Sequence, residues 1–496
     1  MLTIFALFLA SLWRSAGQKH GKNGWKLPPG PLALPIIGNL HELGNLPRRN
    51  LQKLAKKYGP VMSIRLGTMP AIVISSPEAA SLILKTHDTS FASRPRLQAS
   101  EYVTFGSKGL AFAEYGPYWR NIRKLSTLHL LSASKTESFV WLRKEEIGSL
   151  VQLLKLAAAG EVVDISEKVG EVVENIATTM ILGRSKDDDR YHFKEIADEV
   201  LKIAGAFNLA DYVPFIGVLD LQGLSRRLKK ASKQIDQILE KIIAEHELDS
   251  TNDQHRDFVD VLLLLKNKPL NPQDEHVYMI DQTNIKAILI DLISAAFDTS
   301  ATAVEWTISE LVRNARVMEK LQEEVQSVVG MERMVEEKDL GELTYLNMVV
   351  KESFRLRPIG PLLVPRECRE DITIEGYWIP KKSRIIVNTW AIGHDQNVWS
   401  NNVEEFYPER FMARDIDVLG HDFDLLPFES GRRMCPGVQL GLTTVRLILA
   451  QLVHCFDLEL HPNETHPKEI DMTEVFGLSV TRANHLLLKP VYRLLK

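Results

Sequence analysis

A lone thiol, Cys435, sits in Pro427-Phe428-Glu429-Ser430-Gly431-Arg432-Arg433-Met434-Cys435-Pro436-Gly437, among glycines, prolines and two arginines. Glycine tolerates backbone angles that other residues resist, and proline fixes its own φ and removes an N–H, so the stretch predicts a tight loop. The apolar run from Val438 to Leu452 predicts a helix, which puts the cysteine just ahead of a helix N-terminus. Partial positive charge there favours an anion, and Arg432 and Arg433 are expected to lower the thiol pKa further. A thiolate so held is a metal ligand. A buried, inert cysteine in a Gly-rich turn is the alternative.

Three other spacings could do chemistry or support it. Trp119 and Arg123 stand four apart, on one face if helical, and a planar guanidinium suits a carboxylate. Ala287 to Leu311 is apolar nearly all round, the mark of a buried helix, yet it carries Asp298 and Thr299 at its middle, where polar groups are costly. Thr299 could bond back to its own helix, with Asp298 satisfied by a neighbour. Glu352 and Arg355, three apart, pair opposite charges on one helical face.

The order Phe428, Gly431, Arg433, Cys435, Gly437 resembles the haem-binding signature F-x-x-G-x-R-x-C-x-G of the cytochrome P450 monooxygenases, and the chain is similar to their plant microsomal members. The resemblance implies a mainly α fold, a large helical domain with small β-sheets. It makes Cys435 the axial ligand of haem b, pushing electron density toward bound oxygen. Trp119-x-x-x-Arg123 looks like the family's W-x-x-x-R, which with Arg366 and Arg433 would reach the haem propionates. Ala295-Ala296-Phe297-Asp298-Thr299 resembles A-G-x-D-T, the oxygen-activating groove, where a kink or widened turn leaves a carbonyl free for water. In it Asp298 and Thr299 would steer protons. Ala296 replaces the usual glycine, and Phe297 would narrow the pocket above the haem. Glu352 and Arg355 match E-x-x-R, and Arg410 in Pro408-Glu409-Arg410-Phe411 would close a structural triad with them. The substrate pocket would be lined by Phe105, Phe112, Phe297, Leu362, Val364 and Leu478. Its segments carry few charges, Lys108, Asp291 and Asp298, which argues for a lipophilic substrate.

The elements that must position these groups read as helices over Pro77 to Lys85, Tyr118 to Leu131, Lys135 to Ala158, Asp164 to Leu182, Ser225 to Leu248, Arg256 to Lys266 and Thr283 to Val328. Val61 to Leu66 and Ala71 to Ser75 read as a small hairpin around Gly67 and Pro70. Lys186 to Arg190 and Asp249 to His255 read as solvated loops. Net charge of -4 gives no argument for nucleic-acid binding. Three cysteines, Cys368, Cys435 and Cys455, make no disulfide framework and suit a reducing compartment.

At the start, Leu2 to Trp13 is an apolar run followed by Arg14, Lys19, Lys22 and Lys26. It is short for a span, and a cleaved signal peptide competes on length, but no charged segment precedes it. The chain is expected to divide into an anchor with basic flank at 1–26, a stiff Pro-rich hinge at 27–38 and a haem-thiolate catalytic domain at 39–496. The resemblance implies an enzyme on the cytosolic face of the endoplasmic reticulum membrane, with a single N-terminal anchor. It would take electrons from NADPH through NADPH-cytochrome P450 reductase and use O₂ to hydroxylate a lipophilic small molecule of plant specialised metabolism, terpenoid rather than phenolic. A phenolic hydroxylase, a haem-thiolate isomerase or dehydratase, and a haem-binding module without turnover are the alternatives.

Overall fold

The helices that frame the molecule are Pro117–Leu125 (α1), Val140–Ala157 (α2), Ile165–Leu182 (α3), Leu224–Leu248 (α4), Phe258–Leu265 (α5), Gln282–Arg313 (α6), Ala315–Val329 (α7), Thr344–Leu356 (α8) and Val438–Cys455 (α9). This computed structural model describes residues 26–495 except 159, 184–195, 197, 198, 201, 204, 218, 249–255, 271–277, 401, 462–465 and 478. The expected anchor Leu2 to Trp13, the loops Lys186 to Arg190 and Asp249 to His255, and Leu478 lie outside the described residues.

Local chemistry sets the helix ends. Asp164 caps α3, accepting the Glu167 N–H at 2.9 Å, and Gly183 ends it in the left-handed region. Asp281 and Asn284 form a reciprocal capping box at the start of α6. Two expected helices are each divided. The run from Thr283 to Val328 breaks at Asn314, which leaves helical angles while its side-chain amide donates to the Glu310 carbonyl at 2.7 Å. The run from Lys135 to Ala158 breaks at Phe139, whose ring packs edge-on against Phe258 of α5, 6.2 Å between centroids. Both are cases of tertiary packing or a local side-chain bond overriding apolar periodicity.

The helical core is continuous around α6, which packs against α3 on one side and α9 on another. Gly441 of α9 lies against Ser300 of α6; a Cβ at that glycine would stand 3.9 Å from the serine hydroxyl. The helix after Cys435 is thereby docked beside the Asp298-Thr299 turn.

Val61–Leu66 (β1) and Met69–Ile74 (β2) form the expected hairpin, paired Leu66 to Met69, with Gly67 at φ +59. Val163–Asp164 (β3), Arg366–Glu367 (β4), Arg384–Val387 (β5), Phe456–Leu460 (β6) and Leu487–Tyr492 (β7) complete two sheets, ordered β1-β2-β5-β4 and β3-β7-β6. The Pro-rich stretch, expected as a stiff hinge, is tied to the first sheet. Ser63 of β1 donates its N–H to the Pro29 carbonyl and its hydroxyl to Pro28, and a Cβ on Gly30 would collide with the Ser63 carbonyl. Residues 28–38 are therefore laid along the first sheet as part of the domain.

Candidate active site

The Cys435 loop is closed by its own backbone: the Cys435 N–H donates to the Phe428 carbonyl at 2.9 Å. Gly431 is at φ +67, and a Cβ there would stand 2.3 Å from the Leu84 carbonyl and 2.9 Å from the Asp88 carboxylate. The Phe428 ring packs edge-on to Phe354 of α8 at 5.5 Å, fixing the loop to the helix that carries Glu352 and Arg355. Gly437 caps α9, and its N–H bonds to the Cys435 sulfur. Burial pushes the thiol pKa up, while the Gly437 N–H and the Arg123 guanidinium pull it down.

The expectation that Arg432 and Arg433 tune the thiol is corrected. Arg432 turns outward to Asp88 at 2.8 Å, and Arg433 spends its guanidinium on the carbonyls of Ala92, Leu110 and Ala113. Neighbours in sequence diverge in this loop; the cation that acts on the sulfur comes from α1.

Arg433 lies over the Trp119 ring at 4.1 Å, and the indole N–H of Trp119 donates to the Leu110 carbonyl at 2.9 Å, so these two brace each other through one loop. Arg366, expected at the propionates, has several protein partners. It is buried, with Nε on Glu429 at 2.6 Å, Nη1 on Asp88 at 2.7 Å and Nη2 on the Ser430 carbonyl at 2.6 Å. Arg94, which sequence reading missed, completes that clamp at 2.9 Å from Glu429. Glu429 was visible in the loop, but Ser93-Arg94-Pro95-Arg96 gave no spacing signal. Among the described residues Arg123 makes no hydrogen bond, and burial lowers its pKa against the opposing pull of Cys435 and Glu429. Burial, then Arg94, Arg366 and Arg123, pushes Arg433 down to about 8, with Glu429 opposing. Five guanidiniums, of Arg94, Arg123, Arg366, Arg432 and Arg433, thus face two carboxylates, Asp88 and Glu429. Arg94, Arg366 and Arg433 are buried, Arg123 is half-buried and Arg432 is exposed, and this excess of positive charge suits an anionic ligand.

Across from this loop, α6 runs unbroken through Asp298 and Thr299, with no widened turn. Thr299 donates to the Ala295 carbonyl at 2.8 Å, and Thr302 donates to Asp298 at 3.2 Å, so both halves of the back-bonded alternative are realised. Ala295 and Thr299 are nevertheless exposed in the middle of a buried helix, one turn apart on one open face. With its proton spent on Ala295, the Thr299 hydroxyl presents lone pairs to that opening. Phe297, two residues from Thr299, stands roughly 200° around the helix from it and is buried in the helical core. Asp291 is half-buried, its pKa raised to about 6 by desolvation of the carboxyl, against the pull of the Ala111 and Leu110 N–H groups, and it holds the loop that braces Arg433. Of the other expected pocket residues, Phe112 and Val364 are half-buried near this loop, and the Val364 carbonyl accepts from Arg94. Leu362 instead packs on the β1-β2-β5 core, and Phe105 lies 6.0 Å from the Lys286 ammonium at the start of α6.

The E-x-x-R spacing builds a buried network. Arg355 grips both Glu352 oxygens, at 2.8 and 2.9 Å, and donates to the Gly393 and Val403 carbonyls. Arg410 Nε adds bonds of 3.0 Å to both Glu352 oxygens.

Comparison with known proteins settles the family. The Cytochrome P450 family model matches residues 28–488. The chain belongs to the cytochrome P450 family. It is 59% identical to cytochrome P450 CYP736A12 of Panax ginseng, covering 95% of each chain. It is 41% identical to the amorpha-4,11-diene 12-monooxygenase of Artemisia annua, over 99% of this chain and 98% of that one. A solved zebrafish cytochrome P450, described with abiraterone, superposes with a TM-score of 0.75 at 25% identity, covering 90% of this chain and all of that one. This P450 is therefore an O₂-dependent haem monooxygenase of the plant microsomal kind. Its residues fit haem b: a thiol under a helix N-terminus, a guanidinium beside it with no hydrogen bond among the described residues, and a positive excess that propionates would offset.

Proposed function

We propose that this P450 hydroxylates a terpenoid of plant specialised metabolism, with Cys435 as the residue that would hold the haem iron. The observation that carries the reading is the Cys435 thiol, bonded by the Gly437 N–H and facing Arg123, which makes no hydrogen bond among the described residues. Bound haem supplies the activation of O₂ and the transfer of one oxygen atom. Arg123 would hold a propionate directly and Arg433, stacked on Trp119, would present charge to it; Arg94, Arg366 and Glu429 keep the loop in place. Thr299 would hold water or a substrate hydroxyl through its lone pairs, and Asp298, tied to Thr302, would pass protons inward. An apolar substrate suits the open face at Ala295, and the Artemisia annua monooxygenase and the germacrene A hydroxylase of Saussurea costus, 41% identical, are named for terpene substrates.

Electrons would come from NADPH-cytochrome P450 reductase, and the exposed Arg120, Lys124 and Arg432 around the pocket at Trp119 would suit an acidic face on such a partner. The endoplasmic reticulum membrane is the expected location. The test is a reconstitution with the reductase and a panel of terpenes and phenolics. Substrate-dependent NADPH consumption with hydroxylated terpene is expected; products from phenolics alone would overturn the substrate class, and turnover without NADPH or O₂ would favour the isomerase.

A further inference from the structure

The long helix carries a second acid in line with Asp298. Asp298, Thr302 and Glu305 follow at spacings of four and three, so they stand along one side of α6. Thr302 and Glu305 are 3% and 9% exposed, and Thr302 already donates to Asp298. Glu305 accepts at its other end from the hydroxyl of Ser166, in the first turn of α3. Ser166 is half-exposed and accepts the Leu486 N–H at 2.7 Å, so water reaches its oxygen from outside. Arg482 stands 3.7 Å from Glu305, and Asp298, His485 and Asp164 are the other charged groups about it. Burial raises the Glu305 pKa, with Asp298 adding and Ser166, Arg482 and His485 opposing, so the carboxyl is easier to protonate than a surface glutamate. A glutamate also points back toward its helix N-terminus, which brings Thr302 within its swing.

Resting on the monooxygenase reading above, we propose that Glu305 is a proton-relay residue, and that Ser166, Glu305 and Thr302 carry protons from bulk water to Asp298. In the first hop a hydronium of the bulk solvent protonates the Ser166 oxygen, leaving water, as the serine's own proton passes to the Glu305 carboxylate. In the second, Glu305 gives that proton to the Thr302 oxygen as the Thr302 proton passes to the Asp298 carboxylate. Each hop breaks two O–H bonds and forms two, both hydroxyls are restored, and the net result is one proton moved inward per cycle.

The experiment uses the reductase-reconstituted enzyme and Glu305→Gln, which keeps the size and the Ser166 bond but carries no proton. The wild type must first show the thiolate carbon monoxide band and coupled turnover, which tests the underlying reading separately. The variant is expected to keep that band and its substrate binding, to lose product formation by on the order of 10²-fold, the low end for positioned proton transfer, and to divert NADPH to hydrogen peroxide. Its solvent isotope effect on product formation should rise, which a structural role would not produce. If Glu305→Gln does not fold, Thr302→Val, with Thr302→Ser as rescue, decides the matter. Unchanged coupling and isotope effect in the folded variant overturn the relay.

Discussion

At the scale of single residues, two substitutions test the site. Reduced wild-type protein with carbon monoxide is expected to show the red-shifted Soret band of thiolate ligation, and Cys435→His should move it to that of imidazole-ligated haem. An imidazole-type spectrum in the wild type would refute the ligand. Thr299→Ala removes a hydroxyl and little volume, so substrate should still bind while product per NADPH falls and peroxide rises, with product formation down by ~10²-fold. Measured coupling equal to the wild type would rule the hydroxyl out. The thiol loop was legible in the sequence because its groups lie within eleven residues, Pro427 to Gly437. Partners brought from afar were not: Asp88 and Arg94 lie more than three hundred residues from Glu429 and Gly431, and no periodicity announces them. For the same reason the sequence misjudged which arginine acts on the sulfur.

At the scale of elements, helix existence was legible from periodicity, whereas the breaks at Asn314 and Phe139 depended on one side-chain bond and one ring contact. The triad joining α8 to the Pro408–Phe411 turn predicts a large stability effect. Glu352 and Arg355 are wholly buried, so Glu352→Ala leaves two guanidiniums uncompensated and should cost ~3 to 5 kcal/mol, read as poor haem loading and a lowered unfolding midpoint. A second joint has a pH signature. His246, in the last turn of α4, bonds at 2.9 Å to Asp257, which caps α5. Burial alone would lower its pKa, but the Asp257 hydrogen bond and charge and the Ile242 carbonyl outweigh it and raise it to about 9. A folded pKa above the ordinary 6.5 means the stabilisation is complete below about pH 6.5 and fades as pH climbs through about 9. The gap in melting temperature between wild type and His246→Gln should therefore be widest near pH 6 and close by pH 10; a gap independent of pH would show that the histidine acts through packing alone.

For the molecule as a whole, the question is how it meets a membrane. Among the exposed apolar side chains, two groups distant in sequence stand out: Leu32, Leu34, Ile36 and Ile37 in the Pro-rich stretch, and Phe215, Leu219 and Leu221 ahead of α4. The turn after β1 brings them together, since the Gly67 N–H donates to the Ile37 carbonyl at 3.1 Å and the Thr68 N–H to the Tyr212 carbonyl at 2.9 Å. Apolar patches of this kind on a domain mark contact surfaces. The docking of residues 28–38 on the sheet fixes one half of the patch to the domain, so it survives removal of the chain before it. Deleting residues 1–24 is thus expected to move much of the protein to the soluble fraction with its carbon monoxide spectrum intact, while a part still sediments with liposomes. Adding Phe215→Ser and Leu221→Ser should release that remainder, because each removes an exposed apolar side chain whose burial in lipid favours binding by ~1.5 to 3 kcal/mol. Liposome sedimentation of the deleted protein, with and without the two serines, measures both contributions; equal partitioning of the two forms would place the residual contact elsewhere on the domain.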